Sequence, residues 1–178
     1  NSGATWTTQT SGTTNNLVSV FLTDTTAGIA VGNTGTILRT TDGGTTWITQ
    51  TSGTTKNLTC VYFSDANNGT IVGYSGTILR TTNGGTSWTP QTSGTTKELN
   101  GGFFTDTNNG IVVSEYGTIL KTTDAGTTWT IEEISTTNLL SSVFFTDANN
   151  GTIVGEGAVI FRTSAPSPNY ITANLKVY

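Results

Sequence analysis

The chain has 178 residues, of which only 10% are charged, against about 25% in ordinary soluble domains. Its net charge of -4 and pI near 4.5 argue against nucleic acid or an anionic membrane surface as its partner. No apolar run approaches the roughly 18 residues of a membrane span, so membrane insertion is not expected. Histidine is absent, which removes the commonest general base and metal ligand, and neither a cofactor nor a metal is expected.

One short phrase, ending in tryptophan, recurs every 41 residues along the chain. Complete copies occupy residues 40–47, 81–88 and 122–129, and residues 1–6 are the second half of the same phrase. A fixed period of this length indicates a repeat architecture. The period divides residues 1–164 into an N-terminal strand at 1–6 and repeats at 7–47, 48–88, 89–129 and 130–164, followed by a linker and possible extra strand at 165–178.

Each repeat contains four short apolar segments separated by tight turns. In the second repeat these predicted strands are residues 58–64, 70–73, 77–81 and 87–92. The Asn68-Gly69 pair between the first two strands is a strong hairpin signal. Four antiparallel strands in about 40 residues have the size of one propeller blade. The predicted fold class is therefore all-β, a β-propeller of four-stranded antiparallel blades.

The two ends of the repeat array complement each other. The segment at about residues 4–9 reads as a lone outermost strand, whereas the fourth repeat lacks that strand after Thr163. Joining Ser164 to Asn1 would restore a full copy of the tryptophan phrase. We therefore expect four blades closed into a ring by the N-terminal strand, which removes exposed sheet edges. The alternative is that these blades belong to a larger ring.

The phrase Thr-x-Asp-x-Gly-x-Thr-Trp resembles the Asp-box, or bacterial neuraminidase repeat. The longer unit around it, from Leu58 to Trp88, resembles propellers related to the photosystem II stability and assembly factor. This resemblance implies that the aspartate caps backbone amides while the tryptophan packs beneath, away from any functional face. The residues to which it assigns this structural role are Thr40, Asp42, Gly44, Trp47, Asn83, Gly85, Trp88, Asp124, Gly126 and Trp129.

Four cations also recur at one repeat position: Arg39, Arg80, Lys121 and Arg162. They could converge on an anionic partner. They could equally balance the aspartates that recur at the first turn of every repeat, Asp24, Asp65, Asp106 and Asp147. The matching numbers favour this second, structural interpretation.

Candidate ligand-binding residues lie where the repeats differ from one another. The turn between the second and third strands varies most, and its distinctive residues are Asn33, Tyr74, Glu115, Tyr116 and Glu156. In a propeller these turns and the inter-blade links emerge on one face, opposite the Asp-boxes. Tyrosines offer flat amphipathic contact area, and the glutamates offer a pair of carboxylates. No catalytic residue is assigned.

The function predicted from the sequence is a non-enzymatic, secreted or cell-surface scaffold that binds a protein or a polysaccharide. Residues 174–178 resemble the lead-in to sorting domains of the type IX secretion pathway, which indicates an extracellular or cell-surface location in a bacterium, with the periplasm as the alternative. Two other functions stay open: a sialidase-like or other glycoside hydrolase fragment, and an engineered or excised array without its own function. A closed ring predicts a monomer, and an open array predicts a homodimer.

Overall fold

The computed structural model describes residues 5–163 as an all-β array of four antiparallel sheets, which we number as blades 1 to 4. Blade 1 is β1 (Leu17–Leu22), β2 (Gly28–Gly32), β3 (Ile37–Thr40) and β4 (Ile48–Gln50), and blade 2 is β5 (Leu58–Phe63), β6 (Gly69–Gly73), β7 (Ile78–Thr81) and β8 (Thr89–Gln91). Blade 3 is β9 (Leu99–Phe104), β10 (Gly110–Ser114), β11 (Thr118–Thr122) and β12 (Thr130–Glu133), and blade 4 is β13 (Leu140–Phe145), β14 (Gly151–Gly155) and β15 (Ile160–Thr163).

Within each blade the strands pair in chain order, each antiparallel to the one before it. The first strand of every blade is innermost, because β1 packs against β5, β5 against β9, and β9 against β13. This confirms the predicted propeller blades, with one difference: among the described residues, blade 4 has three strands.

Successive blades bury their apolar faces against each other. Side chains alternate across a strand, so each blade has a forward face toward the next blade and a back face toward the previous one. The forward face of blade 1 packs on the back face of blade 2 in a cluster whose members include Ile29, Val31, Ile37, Leu58, Val61, Phe63, Leu79 and Trp88. Fully burying one such aliphatic side chain is worth about 1.5–3 kcal/mol. Equivalent clusters join blade 2 to blade 3 and blade 3 to blade 4.

The predicted closure of the ring is not seen in residues 5–163. Among these residues, β13 does not pack on β1 in the way that the other innermost strands pack on each other. Residues 5–16 form no strand, and the side chain of Trp6 is 91% exposed. Gln9 and Ser11 instead line a depression on the back face of blade 1, so this segment lies beside blade 1 and not along β15. The predicted linker at 165–178 lies outside the described residues.

The turn between the second and third strands requires glycine at its last residue. Gly76 has φ +68°, and a Cβ built on it would lie 1.9 Å from the carbonyl oxygen of Thr95 in the inter-blade link. Gly53 has a similar φ of +71°, but its Cβ would meet nothing within 4 Å. The backbone of the turn and the link are therefore in direct contact.

We expect Gly76→Ala to destabilise the protein clearly more than Gly53→Ala. The left-handed conformation alone costs an alanine about 1–2 kcal/mol, which both variants share. Gly76→Ala must in addition displace the Thr95 carbonyl. Urea denaturation of both variants measures the difference in free energy of unfolding, and equal losses would contradict the proposed contact.

Candidate functional site

One end of the blades is pinned by the aspartates of the first turn. The carboxylate of Asp65 accepts hydrogen bonds from the backbone N–H groups of Asn67 and Asn68, each at 2.8 Å. The other first-turn aspartates accept the equivalent bonds. The N–H of Gly84, in the Asp-box, then donates to the carbonyl of Asn67 at 3.0 Å. First turn and box therefore lie at the same end of the blade, which we call the box end.

Within the box, the aspartate and a threonine satisfy the backbone of the corner. Asp42 accepts from the N–H of Thr46 at 2.9 Å and from its hydroxyl at 2.6 Å. The Thr40 hydroxyl oxygen accepts from the N–H of Gly44 at 2.9 Å. Thr122, Asp124, Gly126 and Thr128 repeat this arrangement in blade 3.

Asn83 fills the same role as an aspartate in blade 2. Its Oδ1 accepts from the N–H of Ser87 at 3.0 Å, and its Nδ2 donates to the Ser87 hydroxyl at 2.9 Å. Gly85 donates to the hydroxyl of Thr81, and Trp88 is buried in the cluster between blades 1 and 2. The corner therefore needs an acceptor at this position and not a negative charge.

The hydrogen bonds of the box lower the pKa of its carboxyl groups. The pKa of Asp42 falls below its ordinary value mainly because of the Thr46 hydroxyl, and then because of the Thr46 N–H. The hydroxyl and N–H of Thr128 are likewise the largest causes of the lowered pKa of Asp124. The pKa of each first-turn aspartate is lowered too, by bonds to residues two and three positions later.

Two of the recurring cations, Arg39 and Arg80, join their blade to the box of the next blade. Arg39 donates from Nε to the carbonyl of Gly84 at 2.8 Å, and Arg80 donates to the carbonyl of Ala125. Lys121 pairs with Glu132 at 2.5 Å. In residues 5–163 no ion pair joins a first-turn aspartate to these cations. The expected balance of aspartates and cations is therefore not seen as ion pairs, although, besides the side-chain and backbone bonds of its own turn, the charge of Arg80 contributes to the lowered pKa of Asp65. Arg39 and Arg80 act mainly by bonding carbonyls across the blade junction.

The opposite end of the blades, which we call the loop face, carries the turns and links that vary in sequence. The N–H of Tyr74 donates to the carbonyl of Asn57 at 2.9 Å, and the N–H of Gly76 donates to that of Lys97 at 2.8 Å. The N–H of Thr34 donates to Asn57 Oδ1 at 3.0 Å. The turn of blade 2 is therefore held against the link into its own blade and the link into the next one, and the turn of blade 1 is bonded to the same Asn57.

The predicted ligand-binding residues all lie on the loop face, distributed over the four blades. Asn33 is in the turn of blade 1, Tyr74 in that of blade 2, Glu115 and Tyr116 in that of blade 3, and Glu156 in that of blade 4. Tyr74, Tyr116 and Glu156 are exposed. Asn33 is half-buried, and its carbonyl accepts from the hydroxyl of Thr36 at 2.7 Å.

Blade 3 carries a polar cluster around Lys97 on the loop face. Its ammonium lies 5.8 Å from the ring centre of Tyr116, 3.3 Å from Glu133 and 2.5 Å from the Thr118 hydroxyl. Glu115 is held separately, because its carboxylate accepts from the N–H of Glu98 at 3.0 Å. Lys97 was not predicted as a site residue, although its link differs in sequence from the other links.

Each innermost strand contributes one aromatic ring to a column that crosses the four blades, which was not predicted from the sequence. The ring centres of Phe21 and Tyr62 are 5.1 Å apart, those of Tyr62 and Phe103 are 5.0 Å apart, and those of Phe103 and Phe144 are 4.9 Å apart. The Tyr62 hydroxyl also donates to the carbonyl of Phe104 at 3.0 Å. The sequence signal was an aromatic residue recurring at the 41-residue period. The column joins successive blades near the box end.

The side chains that could bind a metal ion are dispersed in the part of the chain that the structure describes. No group of three acidic, cysteine or histidine side chains within 5–163 could hold a metal ion. Burial raises the pKa of the Cys60 thiol, as is typical of a packed, unreactive cysteine. In the same range, no helix has the length and apolar character of a membrane span.

A family model for photosynthesis system II assembly factor YCF48 matches residues 1–90 and, in an overlapping second match, residues 49–130. The chain belongs to the YCF48 family. The match covers well over half of its length and all three complete boxes. No curated protein sequence matches the chain significantly.

Solved structures of YCF48 share the fold. YCF48 from Cyanidioschyzon merolae is 17% identical with a TM-score of 0.73, over 92% of this chain and 53% of that one. YCF48 bound to D1 peptide is 20% identical with a TM-score of 0.68, over 88% of this chain and 55% of that one. The chain thus spans about half the length of the YCF48 chains it matches.

Enzymes with related propellers resemble the chain in fold alone. The GH74 enzyme from Niastella koreensis is 17% identical with a TM-score of 0.65, over 84% of this chain and 28% of that one. The family that matches the sequence itself is one of assembly factors.

The predicted extracellular or cell-surface location, with its periplasmic alternative, is wrong. The family and the YCF48 structures belong to photosynthetic assembly factors and not to secreted or surface proteins. The resemblance to secretion signals covers only residues 174–178, whereas the family match extends over most of the repeat array.

We expect the double variant Asp42→Asn, Asp124→Asn to stay folded at neutral pH with a somewhat lower stability than the original chain, and to lose less stability in acid. All six aspartates have a lowered pKa in the folded state, so they stabilise the fold above the unfolded pKa. That contribution disappears as pH falls from about 5 through the folded pKa values. Asn83 shows that the asparagines can make the same corner bonds.

Thermal unfolding from pH 7 down to pH 2.5 measures this difference between the variant and the original chain. The variant should show the shallower fall in midpoint temperature, because two of its carboxyl groups no longer titrate. A parallel fall in both proteins would contradict the assignment of acid sensitivity to the boxes. The matched control is Asp42→Ala, which removes the acceptor and should already be destabilised at pH 7.

Proposed function

We propose that this chain is a non-enzymatic scaffold that binds an extended protein segment across its loop face. Its family is one of assembly factors, and one YCF48 structure is bound to D1 peptide. We choose the loop face because Tyr74 and Tyr116 are exposed there. At the box end, in contrast, the polar groups of the corners hydrogen-bond to one another.

The loop face has the chemistry that a peptide requires. Tyr116 is 59% exposed, and its ring offers apolar contact area with a hydroxyl at the tip. Lys97 and Glu133 beside it present opposite charges that can pair with side chains of a bound segment. Tyrosine is among the residues that most often dominate binding energy at protein interfaces.

Tyr116 has a backbone conformation that is unusual for a residue with a large side chain. Its φ of 53° lies in the left-handed region, where blades 1 and 2 carry the smaller Thr34 and Ser75 at φ 58° and 56°. Such a conformation costs a residue other than glycine about 1–2 kcal/mol. Strain of this kind clusters at binding sites, where the orientation of a side chain matters more than local stability.

We expect Tyr74→Asn and Tyr116→Ser each to weaken peptide binding by about 5- to 30-fold, which corresponds to about 1–2 kcal/mol for a buried tyrosine contact. The replacements copy Asn33 and Ser75, which this chain already carries at the same positions of other blades. The fold should therefore be unaffected, and Tyr116→Ser should unfold at an equal or higher temperature. The measurement is fluorescence anisotropy with a labelled synthetic D1 peptide.

Thr34→Ser is the control, because it changes the same turn position in blade 1 without removing an aromatic ring. Its affinity should equal that of the original chain. Absence of D1-peptide binding at 100 micromolar (about 5 kcal/mol of binding free energy) would overturn the proposal. Hydrolysis of xyloglucan or a fluorogenic sialoside above blank would overturn its non-enzymatic part.

A further inference from the structure

We propose that Lys97 is a positioning residue for peptide binding, whose side chain holds the ring of Tyr116 in the orientation that a bound segment meets. This role rests on the proposed function of the loop face, and it adds a residue that acts through its neighbour. The contacts involved lie in blade 2, in blade 3 and in the link between them, away from both ends of the described array.

The ammonium group of Lys97 has three neighbours on blade 3. It lies 3.3 Å from a carboxylate oxygen of Glu133 and 2.5 Å from the hydroxyl oxygen of Thr118. The third neighbour is the ring of Tyr116, whose centre is 5.8 Å away. A cation within about 6 Å of the centre of a tyrosine ring is attracted to its face. Two polar contacts therefore fix the ammonium, and the ring is attracted to this fixed charge.

The backbone of Lys97 is held by blade 2 and by its own link. Its carbonyl accepts from the N–H of Gly76 at 2.8 Å, and its N–H donates to the hydroxyl of Thr95 at 3.1 Å. Gly76 belongs to the turn that carries Tyr74. Lys97 therefore contacts the turns of both exposed tyrosines, with its backbone in blade 2 and with its side chain in blade 3.

Lys56 occupies the same repeat position in the preceding link. Its N–H donates to Thr54 at 3.1 Å, as that of Lys97 does to Thr95, so the two links share this part of their backbone geometry. Their side chains differ, because Lys56 is exposed and no ion pair within residues 5–163 involves it. The side chain of Lys97 is only 31% exposed. The link alone therefore does not order a lysine at this position.

The difference between the two lysines follows from two differences between the blades. Blade 2 has Ser75 and Thr92 at the repeat positions that Tyr116 and Glu133 occupy in blade 3. Blade 3 thus combines an exposed aromatic ring with a carboxylate that pairs with the lysine beside it. Ordering a side chain before binding lowers the entropy cost that binding would otherwise meet. The ion pair therefore prepares the ring for contact with a segment.

The test is a double-mutant cycle measured by fluorescence anisotropy with the labelled synthetic D1 peptide. Lys97→Met keeps a long side chain but removes the charge, and it should weaken binding about two- to fivefold, as expected for an exposed cation–π contact. In a Tyr116→Ser background the same change should have less than about a twofold effect, because the ring on which Lys97 acts is gone.

Two further variants separate positioning from a general effect on the fold. Lys97→Arg should retain the affinity, because a guanidinium also stacks on an aromatic ring and pairs with a carboxylate. Lys56→Met is the matched control, and its affinity should equal that of the original chain. NMR spectra with labelled tyrosine rings should show a change in the Tyr116 signals for Lys97→Met and none for Lys56→Met. Circular dichroism confirms that the variants are folded.

The outcomes distinguish this role from the proposed function. Absence of D1-peptide binding by the original chain overturns the proposed function and the role of Lys97 with it. Binding that Tyr116→Ser weakens but Lys97→Met leaves unchanged overturns the role of Lys97 alone. An equal effect of Lys97→Met with and without Tyr116, or unchanged ring signals in Lys97→Met, likewise overturns the positioning of Tyr116 by Lys97.

Discussion

The packing of one blade on the next is the interaction on which the whole molecule depends. A blade of three or four short strands has two apolar faces and cannot cover either of them alone. Ile29, Ile37 and Phe63 illustrate the solution, since side chains from blades 1 and 2 share one cluster. Stability in such arrays is carried by nearest-neighbour junctions, as in other repeat proteins. The aromatic column and the Arg39–Gly84 bond add further contacts to the same junctions.

The low charge of the chain follows from how its corners are built. Every aspartate is engaged by hydroxyls, side-chain amides or N–H groups of its own turn, and the corresponding pKa values are lowered. Threonine, serine and asparagine can also make the hydrogen bonds of a corner, and they carry no charge, as Asn83 shows. The polar side chains named here at the box end are therefore used in hydrogen bonds that hold the corners. The side chains of Tyr74 and Glu156 on the loop face are exposed, and the residues at these positions can differ between blades.

The repeat period was sufficient to predict the blades because every copy encodes the same local geometry. The predicted strand at residues 58–64 is observed at Leu58–Phe63, and the turns fall where Asn-Gly and Gly-Gly pairs stand. Contacts between copies were harder to predict. Lys97 meets Tyr116 and Glu133 only because a link, a turn and an outer strand converge in three dimensions. Ring closure could not be predicted from the sequence either, because the curvature of the array depends on how each junction packs and not on the motif that repeats.

Blades 1 and 4 show what a junction contributes, because each of them has a neighbouring blade on one side only among the described residues. Val154 occupies the same position as the fully buried Val113, yet it is exposed, because nothing in the described residues covers the forward face of blade 4. The four described blades form three junctions. Each of these junctions buries the same kinds of apolar side chain, and the hydrophobic gain grows with the apolar area that a junction removes from water. The stability of the described blades is therefore set by the number and the packing of their junctions and not by any single blade.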